Sequence, residues 1–201
     1  MCTAILVTDV NGNAYKGRTL EFSAPVPALL TYFPVGTKIE SSTPSGKQGL
    51  TFNTKYAILG MAGDAVPGSK QPFIAEGSND QGLSFSSNQL NNSTTAPLSA
   101  DSSKILAVTD LCAWMLGNFK TVAEVKAAIV SGNIEFWLPN IPAFDNLPLP
   151  QHYAVFDRSG KGLVIEFQHN KTNVYDNPVN VLTNGPEFEV DPVVKTKAIV
   201  F

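Results

Sequence analysis

Helical spacing of apolar residues is confined to residues 102–130 of this chain, and short β-prone runs fill the sequence on both sides of it. That segregation excludes an alternating strand-helix-strand sheet, whose crossovers would distribute helices along the whole chain. It predicts an α+β layered fold with helices packed on stacked sheets. The first two β-prone runs, residues 3–10 and 14–22, are joined by Asn11-Gly12-Asn13, whose Asn-Gly supplies the positive φ angles of a tight hairpin turn. Further strands are expected at residues 29–33, 50–61 and 82–90, separated by Pro-, Gly- and Ser-rich loops at 41–49 and 63–71. Residues 102–119 place Ile105, Leu106, Thr109, Cys112, Ala113 and Leu116 at helical spacing, which predicts one amphipathic helix. A second helix over 122–130 opens on a capping box of Thr121 and Glu124 and closes at Gly132. After a proline-rich connection, 138–150, a hairpin of residues 151–157 and 163–168 turns at Arg158-Ser159-Gly160-Lys161-Gly162, and short strands follow at Val174 and 179–183. Clear patterning ends at Phe188.

With 201 residues, 43% of them hydrophobic and 15% charged, the chain can build one domain, residues 1–201, around a substantial core. Its net charge of -3 comes without a clustered basic footprint, so neither nucleic acid nor membrane is an expected partner and a small molecule is. Two cysteines, Cys2 and Cys112, are too few for a disulfide framework and suit a reducing compartment. The N-terminus has no basic n-region and only a short apolar run at residues 4–7, so a cytoplasmic location is expected. Phosphate-loop, dinucleotide, esterase-elbow and zinc-protease motifs are all missing. With His152 and His169 as the only histidines and no C-x-x-C, a zinc or iron site has too few ligands, and the two read as a strand residue and a turn residue.

Cys2 is the residue with a specific chemical possibility. Removal of Met1 places a thiol and a free α-amine on one residue, and their ordinary pKa values, near ~8.5 and ~7.7–8.0, make proton exchange between them nearly balanced. The nucleophile then carries its own base. Taken alone, a Met-Cys opening equally suits an ordinary buried small residue. Pairing around the Asn-Gly turn returns Arg18 and Glu21 toward Cys2, where Arg18 would favour the thiolate and Glu21 would hold the protonated amine. The same two residues also read as a solvated salt bridge of little energetic weight.

Met1-Cys2-Thr3 followed by Gly17-Arg18-Thr19-Leu20-Glu21 resembles the opening of the choloylglycine hydrolase and penicillin V acylase family. Residues 55–61, 76–83, 114–119 and 122–128, then His152-Tyr153, Gly160-Lys161, Val164-Ile165-Glu166 and 181–186, match family segments in order. The resemblance implies a four-layer αββα N-terminal nucleophile hydrolase sandwich, incomplete at its C-terminal end. It implies hydrolysis of a linear non-peptide amide, of the conjugated bile salt, penicillin V or N-acyl amine type, through a thioester and without a cofactor. A homo-oligomer is implied for a full-length member.

By the same resemblance, Cys2 is nucleophile and base, Arg18 and Glu21 support it, and Asn184 and the backbone N–H of Gln89 form the oxyanion hole. Asn184 alone would read as a turn residue before Gly185-Pro186. Three departures stand out. Glu21 replaces the more usual aspartate. Gln89 stands where bile-salt-cleaving relatives have asparagine and penicillin-cleaving ones often have tyrosine. A further arginine expected beyond Asn184 has no counterpart before Phe201. Phe22, residues 29–33 and residues 136–144 can wall an acyl pocket or serve as core. The alternative to an enzyme is a truncated, non-catalytic remnant that at most binds an acyl ligand.

Overall fold

A computed structural model of the chain describes residues 2–21 and 29–188. Its elements in order are β1 (Thr3–Thr8), β2 (Ala14–Thr19), β3 (Leu29–Phe33), β4 (Lys38–Ser42), β5 (Gln48–Asn53), β6 (Ile58–Gly63), β7 (Phe73–Asn79), β8 (Ser84–Gln89) and β9 (Ile105–Ala107). Helices α1 (Leu111–Asn118) and α2 (Val122–Val130) follow. Then come β10 (Glu135–Trp137), β11 (Asn140–Ile141), β12 (Leu147–Pro148), β13 (Gln151–Phe156), β14 (Gly162–Gln168), β15 (Lys171–Asp176) and β16 (Val181–Thr183).

Both expected hairpins form. Around Asn11-Gly12-Asn13 the Asp9 carboxylate accepts the backbone N–H groups of Asn11 and Asn13, and Gly12 takes φ +83°, so the turn satisfies donors that the strands leave over. The second turn repeats the device, with Asp157 accepting from Ser159 and Gly160 at φ +83°. The two hairpins belong to different sheets. A seven-stranded sheet runs β15-β14-β13-β8-β7-β6-β3, and a three-stranded sheet runs β16-β1-β2. The pairs within both are antiparallel.

Side-chain alternation makes the large sheet apolar on both faces. Phe85, Tyr153, Val155, Leu163, Ile165 and Phe167 face α1 and α2, in a core with Leu111, Met115, Leu116 and Val125. Ala154, Phe156 and Val164 face the other way, against Ala4 and Leu6 of β1 and Leu182 of β16. The expected α+β class is therefore borne out. The described residues supply three layers, helix, large sheet and small sheet, and among them no helix covers the outer face of the small sheet.

Close approach of α1 to the sheet depends on Gly77, and Gly60, its partner across β6 and β7, leaves room for Ile74 of β7. A Cβ on Gly77 would stand 3.2 Å from Leu116, and one on Gly60 2.6 Å from Ile74. Next to them Asn79 donates from Nδ2 to the carbonyls of Leu116 and Phe119 at 2.8 Å and accepts the N–H groups of Gln81 and Leu83. One asparagine thus caps the end of α1 and builds the β7–β8 turn.

Three expectations are corrected. The helix expected over 102–119 begins only at Leu111, because residues 105–117 are nearly all buried and Ile105–Ala107 pairs in parallel with Glu135–Trp137. A segment buried on every side satisfies helical and strand spacing alike. The single strand expected over 50–61 is two, β5 and β6, broken where the N–H groups of Lys55 and Tyr56 turn toward the Gly117 carbonyl. Part of the loop expected at 41–49 and the unassigned stretch before it form β4, paired with β5. The capping box of α2 is present as expected, with both Thr121 and Glu124 engaged.

Asp110, at the start of α1, is buried, and that burial pushes its carboxyl up to about 6 against the opposing hydrogen bonds of Ser69 and Gln71. Its folded pKa exceeds the unfolded value of 3.8, so the folded state holds the proton longer. Stability is expected to fall as pH rises from about 4 to about 6, by roughly 2–3 kcal/mol from this group. Urea unfolding across that range will show the slope, and Asp110→Asn removes it. Phe156→Ala, which empties the contact between the two sheets, is expected to cost about 3–5 kcal/mol in the same assay.

Candidate active site

The register of β1 assembles the site. β1 lies between β2 and β16, with Thr3 opposite Thr19 on one side and Thr183 on the other. Cys2, Leu20 and Asn184 are the next residues beyond these paired positions. Cys2, Ala4 and Leu6 share the face that meets the large sheet, so the thiol points into the space between sheets and is 5% exposed. Its Sγ lies 3.8 Å from the Glu21 carbonyl oxygen. From β8, Asn88 donates Nδ2 to the carbonyl oxygens of Cys2 at 3.4 Å and Leu182 at 2.7 Å, which ties the first residues of β1 to β16.

Arg18 and Lys16 pair with Ala4 and Leu6 and therefore share the inter-sheet face. Arg18 is 9% exposed, and its Nη1 donates to Glu76 Oε2 at 2.8 Å. Burial lowers the guanidinium from its ordinary range, while the neighbouring Cys2 pulls it back up. Lys16 Nζ contacts Glu76 Oε1 and donates to the Phe85 carbonyl at 2.9 Å, and Ser86 Oγ donates to Glu76 Oε1 at 2.9 Å. The solvated salt bridge between Arg18 and Glu21 is thus corrected: a buried Arg18 finds its carboxylate on β7, and Glu21 is exposed.

Asn184 and Gln89 come together as the resemblance implies, with a difference in detail. The Gln89 backbone N–H donates to Asn184 Oδ1 at 3.1 Å, and Gly185 N–H donates to the Gln89 carbonyl at 3.0 Å. Asn184 Oδ1 is held by this contact, which orients the side chain and leaves Nδ2 as the donor. The contact also occupies the Gln89 N–H, the second donor expected of an oxyanion hole. An open cleft of about 490 Å³ lies alongside, lined by residues 89–92 and 184–187.

His152, expected as an ordinary strand residue, is fully buried and makes two polar contacts. Its Nδ1 meets Glu166 Oε1 at 2.8 Å and its Nε2 meets the Thr183 carbonyl at 2.8 Å. Glu166 Oε1 also accepts the Phe188 N–H at 2.9 Å. The pair therefore holds both sides of the turn that carries Asn184. Asn88, Glu76, His152 and Glu166 were not singled out for the site from sequence; polar residues inside otherwise apolar strands were the available signal. Of the segments read as acyl wall or core, residues 136–144 take the core reading. They pack on the helix side of the large sheet, away from Cys2, with Phe136 and Ile141 in that core. Phe22 lies outside the described residues. Leu30 and Tyr32 pair with Met61 and Leu59, and Met61 pairs with Glu76, which puts this apolar strip on the Cys2 side. Among the described residues no group of three or more His, Cys, Asp or Glu can hold a metal ion, and no helix is long and apolar enough to cross a membrane.

The linear amide C–N hydrolases of the choloylglycine hydrolase family match residues 2–195. The chain is 31% identical to the bile salt hydrolase/transferase of Clostridium perfringens over 94% of its own length and 55% of that protein. It is 32% identical to the bile salt hydrolase/transferase of Lactiplantibacillus plantarum over 94% of its length and 54% of that protein. Among solved structures, the C2A variant of conjugated bile acid hydrolase from Clostridium perfringens superimposes with a TM-score of 0.75 at 28% identity, covering 94% of this chain and 54% of that one. Penicillin V acylase from Agrobacterium tumefaciens shares the fold, with a TM-score of 0.76 at 20% identity over 93% of this chain and 53% of that one. An N-terminal nucleophile fold with a cysteine at the head of β1 is thus the class. The chain belongs to the choloylglycine hydrolase family, and it spans about half the length of the curated relatives it matches.

Breaking the His152–Glu166 pair leaves a buried carboxylate without its partner. His152→Leu is expected to cost about 1–3 kcal/mol in chemical denaturation, because Glu166 and the Thr183 carbonyl lose a buried hydrogen-bond partner. The double variant with Glu166→Leu is expected to recover part of that loss, because the Glu166 side chain is no longer left short of a partner.

Proposed function

We propose that Cys2, freed of Met1, is the nucleophile of a hydrolase that cleaves a linear non-peptide amide. The observation that carries this reading is the placement of Cys2 at the head of β1, between β2 and β16, beside Arg18 and one residue beyond the Thr3–Thr183 pair that precedes Asn184. In the first half-reaction the α-amine takes the thiol proton and the sulfur attacks the amide carbon. Negative charge develops on the carbonyl oxygen, where Asn184 Nδ2 donates. The C–N bond then breaks, the departing nitrogen takes the proton from the α-ammonium, and a thioester remains. In the second half, water gives a proton to the amine and attacks the thioester, and the sulfur leaves with the proton returned. Glu21, adjoining Cys2 through its backbone carbonyl, is assigned to the α-ammonium. Gln89 N–H is assigned as the second donor, and it must exchange its contact with Asn184 Oδ1 for one with substrate.

The relatives from Clostridium perfringens and Lactiplantibacillus plantarum are bile salt hydrolase/transferases, which supports an amide whose acyl part is bulky and apolar. The exposed strip of Leu30, Tyr32, Leu59 and Met61 on the Cys2 side supports the same acyl group. Gln89, at the rim of the cleft, is compatible with bile salt, penicillin V and N-acyl amine substrates alike. Two free cysteines support a reducing, cytoplasmic setting. A second reading, a non-catalytic acyl binder, is favoured by the Gln89 N–H being already engaged by Asn184.

Intact mass before and after a small thiol probe, together with an amide-hydrolysis assay, separates the two. Loss of Met1, one label on Cys2, none on Cys112 and release of amine are expected, with Cys2→Ala abolishing both label and turnover. Cys112 is buried in the helix-side core, and burial pushes its thiol far up, so labelling there marks unfolding. Asn184→Ala is expected to lower kcat by roughly 100- to 1,000-fold with little change in KM. A processed, folded chain that neither labels at Cys2 nor releases amine leaves the acyl-binding reading.

A further inference from the structure

Glu76 sits where simple strand alternation would not put it. Ile74, two residues earlier on β7, faces the helices, so regular alternation would turn Glu76 to that side as well. The pairing of β6 with β7 slips at this point: Met61 opposes Glu76, while the next residue, Ala62, opposes Ile74. Ala75 is the extra residue of a β-bulge, and it rotates Glu76 through the sheet into the space under β2. There the carboxylate is 14% exposed and receives Arg18, Lys16 and Ser86, the last being its direct cross-strand partner.

The donors of Arg18 are divided unequally. Nε reaches the Thr19 carbonyl at 3.3 Å, and Nη1 reaches Glu76. Nη2 is buried and has no hydrogen-bond partner, and Cys2 is the neighbouring group that favours the charged guanidinium. A buried donor of this kind is costly if it stays unpaired. A guanidinium clamped through Nη1 and Nε therefore presents Nη2 with one acceptor to gain, the thiolate.

We propose that Glu76 is a positioning residue, set by the bulge at Ala75 to fix Arg18 so that its free Nη2 donates to the Cys2 thiolate. This inference rests on the reading of Cys2 as nucleophile and extends it to a residue on the opposite sheet. Among the described residues, the charged side chains on the elements beside Cys2 include Arg18 and Lys16 on β2, Glu76 on β7 and, after β2, Glu21, whose backbone carbonyl meets the thiol. The sign of the effect separates positioning from the bare field of the carboxylate. Deleting a nearby negative charge by itself favours a thiolate, so a field effect makes Cys2 more reactive. Releasing Arg18 makes it less reactive.

The test is the pH profile of Cys2 alkylation by iodoacetamide in the Met1-processed chain, for wild type, Glu76→Gln and Glu76→Asp, with Cys112 protection as the check on folding. Glu76→Gln is expected to raise the midpoint by about one unit and slow labelling at neutral pH by about tenfold. Glu76→Asp, which keeps the charge, is expected to restore part of the rate. A Glu76→Gln profile equal to wild type, or shifted to lower pH, overturns the inference while leaving Cys2 as the nucleophile. If Cys112 labels in Glu76→Gln, the Asp variant decides, and a wild-type profile there overturns the proposal. A wild-type chain whose Cys2 neither labels nor supports hydrolysis overturns the proposed function and this inference together.

Discussion

β1 is hydrogen-bonded on both sides, to β2 and to β16, and the site is a consequence of that double register. An antiparallel pair fixes which residues meet, and a slip of one residue would turn every side chain of β1 to the other face. With Thr3 opposite both Thr19 and Thr183, the thiol of Cys2 faces inward, and residues from two distant parts of the chain reach it. The hairpin turn holds one register locally. The other depends on β13 and β14 carrying the chain back, and on Asn88 joining the carbonyls of Cys2 and Leu182.

Packing of the small sheet on the large one sets the chemistry of this space. Its apolar part, Ala4, Leu6 and Leu182 against Ala154, Phe156 and Val164, excludes water from the polar residues beside it. Polar groups in such surroundings must find partners. Arg18 and Lys16 converge on Glu76, and His152 meets Glu166 and the Thr183 carbonyl. These contacts join the two sheets at the end where Cys2 lies. The low dielectric that makes them necessary also strengthens any charge stabilisation offered to the thiolate or an oxyanion.

The two faces of the large sheet divide the work. On the helix side, Gly77 and Asn79 bring α1 down onto the sheet and cap its end. On the opposite side, the same strands carry Glu76 and the apolar strip beside it. The bulge at Ala75 lets one strand serve both, with Ile74 in the helix-side core and Glu76 under β2. The compact motif at residues 76–83 therefore combines a structural asparagine with a carboxylate directed at the site.

Local features were legible in the sequence because local physics decides them. The Asn-Gly hairpin, the Asp157–Gly160 turn, the capping box at Thr121 and the segregation of helix from strand follow from side chains that bond or pack within a few residues. Cys2, Arg18, Glu21, Gln89 and Asn184 could be named from the ordered family resemblance. The sequence did not determine the partner of Arg18, because Glu76 is 58 residues away and points inward only through a bulge that leaves no residue signature. Nor did it determine that residues 105–110 leave the helix, since a segment buried on all sides has no face to read. Residue types set which groups can do chemistry; only the pairing of distant strands, with its fixed register and desolvation, set which of them meet.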